Sequence, residues 1–287
     1  MQKRNKYVAI IQARVGSSRL PGKCLLPLGD CDSVIEYIVK NISMSEYIDF
    51  IYVAHPSTRE NTPIKHICEE ICNKYGEPYT LPVVSFSGSE NNVLKRVADA
   101  AEDFSNYYHT EHSSLVQAEN LFFIEITADC PFVSAHTIDS MCKILENFPN
   151  INYISNTITR CWPDGFDVQI YDAYSLDEIN CFIPNNSKHR EHGGWNIVNY
   201  SSRIKSNATD PFPIMINYFP LTATHFHPEW SVTLDTKEDY DVICDIVAKL
   251  GDDYDRNAID VEVLMLLMKD PSILDKNKNI QRNIPGV

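Results

Sequence analysis

The sequence contains little positive charge and no long apolar run, and each shortage excludes a class of protein. Its 25 Lys and Arg face 39 Asp and Glu, a formal net charge of −14. This balance excludes a general nucleic-acid binder, because a polyanion is repelled. Apolar runs such as residues 263–268 are far shorter than the roughly 20 residues of a membrane helix, and no charged-then-apolar secretory leader opens the chain. We therefore expect a cytoplasmic protein with neither a nucleic-acid nor a membrane partner.

Metal-binding cysteine motifs are also missing. The chain has nine cysteines, an odd number, and no Cys-x-x-Cys pair. Cys68 and Cys72 lie four residues apart on one predicted helix face, where reduced core thiols are a commoner arrangement than a zinc site. His225 and His227 have no third ligand near in sequence, which disfavours a metal pair.

Positive charge is concentrated at the start of the chain. The first 29 residues contain six Lys and Arg and no acid, whereas the remaining residues carry a balance of −20. Lys3, Arg4 and Lys6 are expected to form a solvated start. The other three cations lie in a loop considered below. With 44% apolar and 22% charged residues, the composition is that of a soluble globular protein.

Apolar runs alternate with stretches of helical spacing along most of the chain. Strands are predicted at residues 7–12, 50–54, 82–86, 121–126, 152–155, 214–219 and 230–234. Helices are predicted at residues 33–42, 62–75, 90–104, 135–147, 172–181, 190–200 and 237–250. Residues 105–119 are polar, lack either period and are predicted to form a surface excursion. Alternation of this kind predicts an α/β fold with an open, mostly parallel sheet sandwiched by helices.

The loop after the first predicted strand is the first place to look for a ligand, since open α/β sheets bind ligands at the carboxyl ends of strands. It contains Arg14, Gly16, Arg19, Gly22 and Lys23. A dinucleotide fingerprint needs three glycines at fixed offsets, and a P-loop needs four residues between its glycines and a Ser or Thr after the Lys. Neither pattern is present. Three cations and a glycine that lets backbone amides approach an anion are suited to a triphosphate; a solvated basic loop is the alternative.

Several ordered segments resemble one enzyme family. The segment AIIQARVGSSRLPGKCLLPL, residues 9–28, resembles the opening of the SpsF-like nucleotidyltransferases (spore coat polysaccharide biosynthesis protein F family), which are related to the acylneuraminate and 3-deoxy-manno-octulosonate cytidylyltransferases. Further resembling segments are SGSENNVL, ITADCP, YISNTITRCWPDGFDV, REH and WSVTLDT. The chain departs from the family pattern at Ala128, at Gly193-Gly194-Trp195 and over residues 250–287.

The resemblance implies a glycosyltransferase-A-like, Rossmann-like nucleotidyltransferase fold and attack of an acceptor oxygen on the α-phosphate of CTP, with pyrophosphate leaving. Arg14, Arg19 and Lys23 are then the expected catalytic cations on the triphosphate. Asp129 and Asp235 are the expected Mg²⁺ ligands, because Mg²⁺ is held by one or two carboxylates together with phosphates. An Asp at a strand-to-helix junction is commonly a cap, but the position of Asp129 and the family pattern together favour a ligand.

The resemblance also places the substrates. Nucleotide contacts are expected from Ala13, Arg14, Gly16, Ser17, Arg19, Lys23, Ser87, Gly88, Ser89, Asn92 and Asp129, with Ser89 also expected to cap the following helix. A small anionic acceptor, an acidic sugar or a phosphorylated compound, is expected at Asp164, Asp167, Arg190, Glu191 and His192. For Asp164, in Pro163-Asp164-Gly165, an ordinary turn is the alternative.

The expected organisation is a nucleotidyltransferase domain over residues 1–250, with a nucleotide half at 1–150 and an acceptor half at 151–250, followed by a helical extension at 251–287. The expected activity is Mg²⁺-dependent transfer of CMP for surface polysaccharide or glycan assembly, and a homodimer is possible for this family. Alternatives are a nucleotidyltransferase for another base, a glycosyltransferase that uses a nucleotide sugar, and an inactive nucleotide-binding subunit.

Overall fold

The computed structural model describes residues 5–75, 81–111, 120–205, 212–220, 222 and 225–282. Seven strands within these ranges form one sheet. The strands are β1 (Lys6–Gln12), β2 (Ile48–Pro56), β3 (Val83–Gly88), β4 (Leu121–Thr127), β5 (Tyr153–Ser155), β6 (Gln169–Asp172) and β7 (Met215–Asn217). Their spatial order is β3-β2-β1-β4-β6-β5-β7. The pairs β1–β2, β1–β4, β2–β3 and β5–β7 are parallel, and β6 runs antiparallel to both of its neighbours. The predicted open, mostly parallel sheet is confirmed.

Helices cover both faces of this sheet. They are α1 (Val34–Ile42), α2 (Thr62–Tyr75), α3 (Val93–Glu111), α4 (Ala135–Asn147), α5 (Ala173–Phe182), α6 (Trp195–Asn199), α7 (Lys237–Leu250) and α8 (Ile259–Lys269). Buried side chains of α1, α2, α4, α7 and α8 join one core cluster, and those of α3, α5 and α6 join a second.

Strand β1 shows why the core divides into two clusters. Successive side chains of a strand point to opposite faces, so Tyr7, Ala9 and Ile11 enter one cluster while Val8 and Ile10 enter the other, all five with no exposed surface. A strand buried on both faces must be apolar throughout, which is why the run YVAII stands out in the sequence.

The structure corrects several element boundaries. Helix α3 begins at Val93 rather than 90 and continues to Glu111, so the first part of the expected excursion is helical; residues 112–119 lie outside the described residues. The predicted strand at 230–234 is a single bridge between Ser231 and Asp164. The predicted helix at 190–200 is divided into a 3-10 turn, Lys188–Glu191, and the short α6.

Strand β6 was not predicted. Its four residues carry the buried Ile170 and Tyr171 next to each other, because β6 is covered on both faces. A run this short and without alternation has no clear period, so the pattern indicated only the helix that follows it.

The cysteine expectation holds for Cys68 and fails for Cys72. Cys68 is buried, whereas Cys72 is exposed and its thiol donates to the carbonyl oxygen of Val83 at 3.0 Å. Four residues span slightly more than one helical turn, and this offset carries Cys72 to the solvent edge of α2. Within the described part of the chain, His, Cys, Asp and Glu form no group of three or more that could hold a metal ion. The same residues include no helix with the length and apolar character that crossing a membrane requires.

Candidate active site

A cleft of about 690 Å³ opens at the carboxyl ends of β1 and β4. The strand order reverses at this point, since the chain passes outward from β1 to β2 and β3 and then returns to the other side of β1 with β4. Open α/β sheets bind ligands at such a switch point. The predicted site residues that line the cleft are Ala13, Arg14, Ser17, Arg19, Lys23, Asp129, Asp164, Asp167, Glu191, His192 and Asp235.

The loop after β1 is folded on its own backbone. The carbonyl oxygen of Val15 accepts from the amides of Ser17 at 2.8 Å and Gly22 at 2.9 Å, and the Val15 amide donates to Asn61 Oδ1 at 2.9 Å. Gly22 has φ +71°, a left-handed conformation that glycine adopts without steric strain. These contacts turn the chain so that Lys23 begins a short 3-10 helix, Lys23–Leu25, at the floor of the cleft.

Lys23 lies between the two carboxylates that were expected to bind metal. Its Nζ is 2.9 Å from Asp129 Oδ2 and 2.9 Å from Asp235 Oδ1. Burial alone would lower the pKa of Lys23, but the two carboxylates raise it above its usual value. Partial burial alone would raise the pKa of Asp129; the Lys23 ammonium, with hydrogen bonds from Thr127 and Lys23, holds it below the usual range. Lys23 and Asp129 therefore stabilise each other's charged form.

The two aspartates reach this point from distant parts of the chain. Asp129 lies two residues after the end of β4, and its carbonyl oxygen accepts from the Leu234 amide at 2.8 Å, which brings the 233–235 segment alongside. Asp235 precedes α7, whose capping box is formed by Thr236 and Asp239. Because Thr236 caps the helix, the Asp235 side chain is left for the cleft.

The other two loop cations also line the cleft. Arg19 Nη2 is 2.9 Å from Asp235 Oδ2, and the Arg19 side chain is 48% exposed. Arg14 also lines the cleft. Two cations beside two carboxylates, with Arg14 in the same cleft, suit a polyphosphate with a divalent cation, because incoming phosphate oxygens can take over the donors of Lys23 and Arg19 and leave the carboxylates to a metal.

The Asp129 and Asp235 carboxylates fit Mg²⁺ by their chemistry. Both are hard oxygen donors that converge on one point, which the Lys23 ammonium occupies. Mg²⁺ sites in phosphate chemistry commonly use one or two carboxylates and complete the octahedron with water and phosphate oxygens. The lack of a third acidic ligand among the described residues is therefore compatible with this ion.

The part of the cleft around Arg160 is also rich in carboxylates, and its Asp164 lies close enough to Asp129 for the two charges to interact. Arg160 donates to both oxygens of Asp167, at 3.0 and 2.8 Å, and lies 3.6 Å from Asp164. Burial and the neighbouring Asp167 raise the pKa of Asp164 to about 6. Arg160 was not among the predicted site residues, yet it is the guanidinium that lines this part of the cleft.

Arg190 does not line the cleft, contrary to its expected role at the acceptor. It is 4% exposed, and its guanidinium donates to the backbone carbonyl oxygens of Asn180, Ile183 and Pro184. The side chain ties α5 to the following turn and so fixes the segment that presents Glu191 and His192. Sequence spacing could not predict that Arg190 is buried while Glu191 and His192 line the cleft, because an irregular turn has no period that assigns its side chains to one face.

The expected base-reading segment contributes through different residues. Glu90 and Asn91 line the cleft, whereas Ser87, Gly88, Ser89 and Asn92, together with Gly16 of the first loop, do not. The predicted helix cap at Ser89 is wrong: Asn92 Oδ1 accepts from the Lys95 amide at 2.8 Å and caps α3. The Ser89 carbonyl oxygen accepts instead from Arg96 Nη1 at 2.6 Å.

Sequence reasoning also missed other polar side chains in the cleft, among them the neighbouring residues Gln12, Arg96 and Glu125. Glu125 Oε2 accepts from Tyr171 Oη at 2.7 Å and from the Gly194 amide at 2.6 Å, and Gln12 Nε2 donates to Glu125 Oε1. Burial raises the pKa of Glu125 and lowers that of Arg96 to about 10. One signal was present: Glu125 is the lone acid in the apolar strand LFFIEIT, and buried acids need partners.

The departure from the family pattern at Gly193-Gly194 has a packing reason. A Cβ atom at Gly193 would come within 2.1 Å of Glu125 Oε1, and one at Gly194 within 2.0 Å of the Tyr171 ring. The two glycines let the backbone pack directly against the Glu125 and Tyr171 side chains. Because of this close packing, α6 begins beside the cleft and Trp195 lines the cleft.

Replacement of Gly194 by Ala is expected to lower the free energy of unfolding by about 1–3 kcal/mol, because the new methyl group must displace the Tyr171 ring. Urea unfolding of the variant measures this change. Asn199→Ala, an exposed position at the end of α6, is the matched control and should stay within about 0.5 kcal/mol of the natural protein. Equal stability of the two variants would contradict the packing argument.

Comparisons with known proteins show sequences and a fold that this chain resembles. A family model described as Cytidylyltransferase matches residues 8–161. The spore coat polysaccharide biosynthesis protein SpsF of Bacillus subtilis is 27% identical over 93% of this chain and 96% of its own length. The 3-deoxy-manno-octulosonate cytidylyltransferase of Zea mays is 24% identical over 63% of this chain and half of its own length. A solved cytidylyltransferase structure from Leptospira borgpetersenii superposes with a TM-score of 0.73 at 23% identity, over 97% of this chain and all of that one.

Proposed function

Because this chain belongs to the cytidylyltransferase family, we propose that it transfers CMP from CTP to a hydroxyl of an acidic sugar or a phosphorylated acceptor. The observation that carries the proposal is the position of Lys23 between Asp129 and Asp235 at the switch point of the sheet. The names of the relatives, a spore coat polysaccharide protein and 3-deoxy-manno-octulosonate cytidylyltransferases, support a product used in glycan assembly.

In the proposed reaction, an acceptor oxygen attacks the α-phosphorus of CTP. The new bond joins that oxygen to the α-phosphorus and the acceptor hydroxyl releases its proton to solvent. The bond between the α-phosphorus and the bridging oxygen of the β-phosphate breaks, and pyrophosphate leaves with that electron pair. Arg14, Arg19 and Lys23 hold the triphosphate and offset the charge that develops on it. The backbone of their loop is ordered by its own hydrogen bonds, so binding requires only that the side chains of Lys23 and Arg19 exchange their carboxylate partners for phosphate oxygens.

Asp129 and Asp235 would hold Mg²⁺, which supplies further charge neutralisation on the phosphate oxygens when bound. The role of the two side chains is to fix the point at which the phosphates meet the acceptor. Asp129 is anchored by the end of β4 and Asp235 by the capping box of α7, so their separation is set by the fold rather than by a mobile loop.

The acceptor is proposed to occupy the part of the cleft lined by Arg160, Asp164, Asp167, His192 and Trp195. Arg160 takes the role expected of Arg190, as the guanidinium that meets an anionic group. The carboxylates accept hydrogen bonds from acceptor hydroxyl groups, and the Trp195 ring offers a flat apolar face for a sugar ring.

A pyrophosphate-release assay tests the proposal. Each of the four nucleoside triphosphates is combined with acidic sugars, sugar phosphates and small phosphorylated compounds, with Mg²⁺ and with chelator. We expect release from CTP, only with the right acceptor and only with Mg²⁺. Preference for another triphosphate, or turnover of a sugar nucleotide without pyrophosphate release, would replace the proposal by one of the other enzymatic alternatives. CTP binding without turnover of any acceptor would indicate a binding subunit.

If the acceptor is an anion, we expect its KM to decrease as the pH is lowered. Asp164, with its pKa near 6, faces Asp167, Asp129, Arg160 and Arg282. An anionic acceptor is repelled by ionised Asp164 and therefore binds better as that group takes up a proton. Lowering the pH from 7.5 to 6 should reduce the acceptor KM about two- to fivefold.

Asp164→Asn is the control for this experiment, because an amide keeps the shape of the side chain and removes its titration. The variant should show a flat acceptor KM over the same pH range. A KM that rises as the pH falls in the natural protein, and is flat in the variant, would mean that the acceptor is cationic at this part of the cleft.

A further inference from the structure

The chain beyond α7 returns to the segment that carries Asp235. After α8, residues Pro271–Lys276 form a 3-10 helix, and the described chain ends at Arg282. Asn277 is 4% exposed and the Arg282 side chain 11%. Polar side chains buried to this degree near the end of a chain need partners to offset their lost hydration, and these partners lead to the candidate site.

Both side chains bind one carboxylate oxygen. Asp239 Oδ1 accepts from Asn277 Nδ2 at 2.9 Å and from Arg282 Nη2 at 2.5 Å. Asp239 has no exposed surface. Burial alone would raise its pKa, but the hydrogen bonds from Arg282 and Asn277 hold the pKa below the usual range. The extension thus keeps Asp239 ionised inside the protein.

The other oxygen of the same carboxylate holds the backbone of the candidate metal ligand. Asp239 Oδ2 accepts from the amides of Asp235 at 3.1 Å and Thr236 at 2.9 Å. One carboxylate therefore connects Arg282 to the main chain of Asp235, whose own side chain meets Lys23 and Arg19.

A second contact fixes the preceding residues. Asn277 Nδ2 also donates to the carbonyl oxygen of Ser231 at 3.1 Å. Ser231 forms the bridge with Asp164, and its hydroxyl donates to Asp164 Oδ2 at 3.4 Å. The segment from 231 to 239, which carries Asp235, is thus held at both ends by the extension.

We propose that Arg282 and Asn277 are positioning residues that place the Asp235 carboxylate against Lys23 through the buried Asp239. The extension beyond residue 250 then belongs to the machinery that binds the triphosphate. This inference rests on the proposed function for the identity of the ligand, and its physical basis is that small displacements of a charged group lower catalysis steeply.

Arg282→Met tests the inference, with Arg282→Lys as the conservative variant. For each, the affinity for CTP with Mg²⁺ is measured by calorimetry, and kcat and KM by pyrophosphate release. For the Met variant we expect a loss of about tenfold or more in affinity and in kcat, with partial recovery in the Lys variant. Lys278→Met is the matched control, since Lys278 is exposed in the same segment and pairs with Asp275; it should leave both quantities unchanged.

Asn277→Ala provides a second test should Arg282→Met fail to fold. It removes one donor to Asp239 and the contact to Ser231, and a several-fold loss of affinity for CTP with Mg²⁺ is expected. Lower thermal stability with unchanged affinity and kcat in folded variants would overturn the inference and leave the proposed function intact. Loss of CTP affinity in the variants, with no turnover by the natural protein for any acceptor, would support the inference and contradict the proposed function.

Discussion

Replacement of Lys23 by Met is expected to lower kcat/KM for CMP transfer about 10²-fold or more, which corresponds to about 2.7 kcal/mol of transition-state stabilisation. The ammonium lies 2.9 Å from each of two carboxylates in the floor of the cleft. Without it, the triphosphate loses a cation and also meets two carboxylates whose charge is no longer offset. Steady-state pyrophosphate release measures the effect. Lys65→Met, on the exposed face of α2, is the control and should retain full activity.

The same variant should show a characteristic dependence of stability on pH. In the natural protein, Lys23 lowers the pKa of Asp129. A carboxyl group whose pKa is lower in the folded than in the unfolded chain stabilises the fold at pH values above its unfolded-state pKa, and this stabilisation is lost as the pH falls through its folded-state pKa. The difference in unfolding free energy between the natural protein and Lys23→Met should therefore be largest near neutral pH. It should shrink below the ordinary pKa of Asp. A difference that does not change with pH would contradict the ion-pair account.

Replacement of Asp129 by Asn is expected to abolish most of the Mg²⁺-dependent activity, with kcat falling about 10²- to 10³-fold. The amide keeps the size of the side chain, so the loss reports the charge. The carboxylate meets Lys23 and lies two residues after the end of β4, in the wall of the cleft. A titration of activity with Mg²⁺ should also show a higher half-saturating concentration.

Asp241→Asn, on the exposed face of α7 and paired with Lys237, is the matched control for charge removal. Its activity and Mg²⁺ titration should equal those of the natural protein. Full turnover by Asp129→Asn at the same Mg²⁺ concentration would remove Asp129 from the metal site. Asp235→Asn is expected to behave as Asp129→Asn does, because the two carboxylates flank the same ammonium.

The strands and helices around β1 were predictable because their apolar residues form continuous runs or recur at helical spacing. Strands β1 and β2 read as apolar runs, since both of their faces are covered. Helices α1, α4 and α7 begin where a side chain caps the backbone locally, at Ser33, Ser134 and Thr236. Each of these contacts joins residues three positions apart, a spacing that is visible in the sequence, although the wrong cap at Ser89 shows that spacing alone does not select the capping residue.

Contacts between distant segments were not predictable from spacing. Arg190 and Arg160 both lie in the irregular half of the chain, yet the Arg190 guanidinium donates its hydrogen bonds to backbone carbonyl oxygens whereas Arg160 lines the cleft. The choice depends on which side of a turn each faces, and no period indicates it. The burial of Glu125, the acid within a core strand, is explained only by the hydrogen bonds that Tyr171 and Gly194 donate to it in the folded chain.

By itself, the sequence determined the α/β class, the alternation that leads to a parallel sheet, the basic loop after β1 and the aspartates that meet its cations. These follow from local periodicity and from motif segments that resemble one family. The tertiary structure decided which of these charges meet, which are buried in structural roles, and that the chain beyond residue 250 returns to hold Asp239. The physical reason is that charge pairing and burial depend on distances between residues 40 to more than 200 positions apart, which only the folded chain sets.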